Sequence, residues 1–87
     1  MEQRNFTPVE IILTSYTACG RYRRGCLTVK TPSGFLPVES ATEEGEPPGT
    51  GNYQNQKDRA VGASRELKIP LVEINYDLIR QVRETIK

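Results

Sequence analysis

Residues 53–76 carry the pattern that most constrains this chain: a helical repeat that passes, through Lys68-Ile69-Pro70 alone, into a β-strand. Ala60, Ala63, Ser64 and Leu67 recur at the i, i+3, i+4 and i+7 spacing of one helix face. They fall within a helix predicted from about Tyr53 to Lys68. Those side chains are small, so the helix can lie close to a sheet, while Gly62 costs it about 1 kcal/mol relative to Ala. Ile69–Tyr76 then alternates, with Val72, Ile74 and Tyr76 on one face and Glu73 and Asn75 on the other. A helix that leads straight into a strand is a crossover, which favours parallel pairing of that strand. Asp77 is placed to cap a last helix, whose apolar stripe is Leu78, Ile79, Val82 and Ile86.

The first half has the period of strands. The stretch from about Thr7 to Thr17 is rich in β-branched residues, with Val9, Ile11 and Leu13 on one apolar face. Gly20–Gly25 is a turn bounded by glycines, and Cys26–Thr31 is a second strand with Leu27 and Val29 on one face. Pro32-Ser33-Gly34 is a turn signal. Phe35–Glu39 is a third strand, and Pro37 suggests an edge position. Residues 40–52 are acidic and rich in Gly and Pro, so they are expected to bury no core face and to form a flexible loop. The fold class predicted is α/β (α+β) in the order β-β-β-α-β-α. A three-stranded antiparallel meander is joined by a fourth strand in a mixed sheet, with helices packed on it.

Eighty-seven residues make a single domain, 1–87, of modest stability. Twelve basic and eleven acidic residues leave a net charge of +1, so any attraction for a polyanion must come from a local patch. Charge is unevenly spread: residues 38–56 hold four Glu and no base. No secretory leader is evident, and the longest apolar run, Val9–Leu13, is broken by Glu10. These features predict a soluble, cytoplasmic protein with no membrane partner. Cys19 and Cys26 flank the first turn and can in principle bridge it, but free thiols fit a cytosolic chain better. Two Cys and no His cannot supply the four ligands of a zinc site, and the lack of His removes the commonest general base near neutral pH.

Four motifs bear on chemistry. Glu46–Asn52 has the outline of a phosphate-binding P-loop, but Glu46 replaces its first glycine, Asn52 its lysine and Tyr53 its hydroxyl residue. The preceding acids would repel phosphate, so a Gly/Pro loop explains the segment. Arg21-Tyr22-Arg23-Arg24 is the densest basic cluster. On a hairpin tip it can pair with phosphates and stack a base, or serve only as a solvated turn. The amide-rich Tyr53–Arg59 segment can cap free helix N–H groups or contact a polar ligand, and capping and solvation fit it better. Asp58, Glu73 and Asp77 are the acids that a two-metal nuclease site would need to draw together, against surface solubility as the alternative.

Several strings resemble the first part of a ribonuclease H-like domain. Val9-Glu10-Ile11 is similar to the opening of that family's first strand. Gly51-Asn52-Tyr53-Gln54 falls where the family has Asn-rich residues before a helical metal-binding Glu. Val72–Asp77 resembles the strand that ends at a catalytic Asp. The resemblance implies a three-stranded meander, a helix, a strand parallel to the first, and another helix. It also implies a truncated, degenerate member. Leu13, Thr14 and Ser15 stand where the first-strand Asp belongs, the helical Glu falls at Gln54 or Asp58, and only Asp77 matches.

Three functions follow as expectations. The first is a small non-catalytic binding module that contacts nucleic acid through Arg21, Tyr22, Arg23 and Arg24, with no cofactor. The second is a protein-interaction module, an inhibitor, adaptor or homo-oligomer. The third is a nuclease of ribonuclease H-like type that holds Mg²⁺ on Asp58, Glu73 and Asp77.

Overall fold

The computed structural model describes residues 4–85. β1 (Glu10–Ala18) and β2 (Tyr22–Thr31) form a long antiparallel hairpin, from Glu10 opposite Lys30 to Ala18 opposite Tyr22. The turn is shorter than the two glycines suggest. Cys19 (φ 55°) and Gly20 (φ 67°) are both left-handed, and the Arg21 N–H donates to the Ala18 carbonyl at 3.1 Å. That is the pattern of a type I′ turn, whose twist matches the flanking strands. Gly25 belongs to β2 instead. A Cβ there would lie 3.1 Å from Gln56 Cβ and 3.3 Å from Leu13, so glycine permits close packing at that point. The register places Cys26 opposite Thr14, well down the strand from Cys19, and both thiols are free.

β3 (Gly34–Pro37) pairs antiparallel with β2 and forms one edge, where the missing N–H of Pro37 is tolerated. β5 (Leu71–Asn75) pairs parallel with β1, Ile11 opposite Leu71 and Ser15 opposite Asn75. The sheet order is β3-β2-β1-β5, with the three-residue β4 (Thr50–Asn52) also pairing antiparallel to β2. The result is a mixed five-stranded sheet with two helices, a small α+β fold.

The segment 40–52 is not a bare loop. A 3₁₀ turn covers Glu39–Ala41, β4 closes the segment, and Ala41 and Thr50 are buried. Gly49 is its anchor. Its N–H donates to Thr42 Oγ1, and its carbonyl accepts from the Leu27 N–H and from Gln56 Nε2. At φ 77°, a Cβ on Gly49 would come within 2.6 Å of the Leu27 carbonyl, so only glycine fits. Composition hid this order, because backbone groups and the single small Ala41 side chain make the contacts.

α1 (Tyr53–Leu67) starts at Asn52, whose side chain accepts from the N–H groups of Gln54 and Asn55. It ends at Lys68, which takes a left-handed conformation (φ 56°). Gln56 and Ala60 are sealed at 0% exposure; Ala60 joins the core of Ile11, Leu13 and Leu27, and Gln56 lies against Gly25. Leu67, expected on that face, is 47% exposed. α2 (Tyr76–Thr85) begins at an Asn75 cap, which accepts from Asp77 N–H and Leu78 N–H. Asp77 is therefore not the cap. It turns back to β1 and accepts from the hydroxyl and N–H of Thr17. No helix among the described residues is long and apolar enough to cross a membrane.

Candidate nucleic-acid interface

Strand alternation divides the sheet into two surfaces. Ile11, Leu13, Ser15, Gly25 and Leu27 face α1 and are buried. Ile12, Thr14, Tyr16 and Cys26 point the other way and are only half-buried. At the end of this second face, α2 and Tyr16 enclose an open groove of about 490 Å³, lined by Tyr16, Tyr76, Ile79, Arg80 and Arg83. That volume falls within the roughly 300–1,000 Å³ of small-ligand clefts. Among the described side chains no carboxylate lines it, and Arg80 and Arg83 make no contact ion pair. Asp77, one turn back from Arg80, is committed to Thr17, and those hydrogen bonds hold its carboxyl below the usual carboxylate range, helped by Arg80 and Arg23.

The same alternation splits the basic cluster. Only Arg21 lies in the turn; Tyr22, Arg23 and Arg24 are strand residues, which corrects the hairpin-tip expectation for all but one of the four. Arg23 is on the α1 side. Its guanidinium lies 3.8 Å from the centroid of the Tyr53 ring, a cation–π contact, and reaches Ser15 Oγ at 3.4 Å. Tyr22 and Arg24 are on the open face. Arg24 stands opposite Tyr16 in the hairpin register and is ion-paired with Glu46. Tyr22 is 64% exposed. Two members of the quartet thus lie on the face that bears the groove, though they do not line it, and Arg23 lies on the other.

The acids expected to meet at a metal are held apart. Asp58 accepts from Gln54 Nε2 on the outside of α1. Glu73 faces α1, where it pairs with Lys57 and accepts from the Tyr53 hydroxyl. Asp77 is bound to Thr17. Among the described residues no group of three or more His, Cys, Asp or Glu is arranged to hold a metal ion. The reason is geometric: Lys57 and Asp58 are adjacent on the helix, so when Lys57 faces Glu73, Asp58 is rotated away.

Tyr16, Tyr76, Arg80 and Arg83 escaped the sequence reading. A signal existed, since the polar side of the α2 stripe carries two arginines one turn apart. What linked them to Tyr16 was the parallel β1–β5 pairing. The stripe itself is open: Leu78 and Val82 are 57% and 56% exposed, and Ile86 lies outside the described residues. No protein-family model, curated protein or solved structure matches this chain.

Proposed function

We propose that this chain is a non-catalytic binding module for single-stranded nucleic acid, which it takes on the open face of the sheet. The observation that carries the reading is the groove itself, two tyrosines and two arginines with no acid among the described side chains that line it. Unpaired bases stack on aromatic rings while guanidiniums take the flanking phosphates. A duplex keeps its bases stacked inside and offers the tyrosines nothing. Tyr22 and Arg24 extend the surface along β2. We further propose a kinship with ribonuclease H-like domains, which would share this strand order, β5 parallel to β1 after a helical crossover.

Titration of a labelled short single strand tests the reading. Binding should weaken as salt rises, with a logarithmic slope of roughly −0.7 per phosphate contacted, and a duplex of equal length should bind less tightly. A flat salt response removes the proposal. A protein-interaction role is a second reading, favoured by the exposed Leu78 and Val82. If it holds, the protein should self-associate in light scattering, and Leu78→Glu should leave it monomeric.

A further inference from the structure

Glu46 is ion-paired with Arg24, which lies beside Tyr16 on the face that bears the groove. Arg24 is the open-face partner of Tyr16 in the β1–β2 register, so its guanidinium belongs to the same surface as the tyrosine that lines the groove. Its side chain is only 20% exposed and that of Glu46 31%, so the pair is partly withdrawn from water. Glu46 is presented by a braced segment. Its N–H donates to the Glu43 carbonyl at 3.1 Å, and Pro47-Pro48 follow it directly. The Thr50 N–H returns to the Pro47 carbonyl at 3.0 Å. Glu43 in turn binds the Asn52 N–H and Asn55 Nδ2 at the start of α1. These bonds draw its carboxyl below the ordinary range. The acidic loop is thus tied down on both sides of the residue that holds Arg24.

A carboxylate in a charge-assisted bond to guanidinium has the same sign, and accepts the same donors, as a phosphate oxygen. We propose that Glu46 is a built-in competitor of the ligand phosphate, a latch that withholds Arg24 until a nucleic-acid strand displaces it. The inference rests on the open-face reading above and adds regulation to it. The latch is displaceable because a partly exposed ion pair of this kind contributes little, about a 5-fold effect at most. A strand that reaches from the groove onto Arg24 exchanges one acceptor for another. A ligand confined to the groove leaves the pair closed.

The test is anisotropy with a labelled oligothymidylate, run on the wild type and on Glu46→Gln, Arg24→Gln, the double variant and Glu44→Gln. Freeing Arg24 in Glu46→Gln should tighten binding roughly 2–5-fold at low salt and steepen the salt slope by about 0.7, one added phosphate contact. Arg24→Gln alone should not tighten binding, and it should abolish the gain in the double variant. Glu44→Gln removes the same charge from an exposed neighbour and should give no gain. Glu46→Asp, which keeps the charge but shortens its reach, covers the case in which Glu46→Gln does not fold. It should also bind more tightly than the wild type. Wild-type binding with no gain in Glu46→Gln overturns the latch and leaves the interface standing. A gain that survives loss of Arg24, or that Glu44→Gln reproduces, also overturns it. No binding by any variant overturns both.

Discussion

On the α1 side of the sheet, Ile11, Leu13 and Leu27 are closed to 1% exposure or less, whereas on the reverse side their neighbours Ile12, Thr14, Tyr16 and Cys26 stay half-open to water. The two surfaces are woven from the same strands. They differ in what covers them. α1 lays Gln56 and Ala60 directly on the sheet, and Gly25 lets it approach. α2 meets only the end of the reverse face and leaves a groove. Burying a Leu or Ile side chain is worth about 1.5–3 kcal/mol, so the closed face carries most of the stability of a small domain. The open face contributes less and is free to be shaped for contact.

This contrast can be broken most forcefully from the closed side. Leu13→Ala should cost about 2–5 kcal/mol in urea unfolding, enough to threaten the fold of so small a domain. Thr14→Ala, the adjacent residue on the open face, should cost about 1 kcal/mol or less. Equal losses would mean that the open face is also sealed, by a second copy for instance. A backbone counterpart is Gly49→Ala, expected to lose about 2–4 kcal/mol from the left-handed strain and the clash with the Leu27 carbonyl together.

The next effect reads function rather than stability. Arg80→Gln with Arg83→Gln should leave the urea midpoint almost unchanged while lowering the salt slope of single-strand binding by about 1.4, two phosphate contacts at roughly 0.7 each. A large stability loss with an unchanged slope would assign these arginines to the fold instead of the interface.

Smaller effects sharpen the picture at the helix ends. Lys68→Gly should stabilise the protein by about 0.5–1 kcal/mol, because the left-handed residue that ends α1 suits glycine better than lysine. Acid should act locally. Glu43 is held low by the Asn52 N–H and then by Asn55, and Asp77 by the Thr17 hydroxyl and then its N–H. Each native carboxylate therefore binds fewer protons than its unfolded counterpart. Its contribution is complete above the ordinary carboxylate range, about pH 4, and is lost as pH falls through the lowered native value. Amide exchange near the start of α2 should quicken there, and Asp77→Asn should abolish that pH dependence.

The sequence alone determined the order of the elements other than β4 and the 3₁₀ turn, the parallel pairing of β5, the edge position of β3 and the placement of α1. All of these follow from local periodicity, turn residues and the short Lys68–Pro70 connection, which need no knowledge of partners. It did not reveal that Gly25 is a packing position, that 40–52 is ordered through Gly49, or that Arg23 and Arg24 part company. Those outcomes depend on which strand lies beside which and on which face receives the helix. Side chains one residue apart on a strand point to opposite surfaces. A cluster that is continuous in the chain is therefore divided in space, while Tyr16 and Arg83, far apart in the chain, come to line one groove.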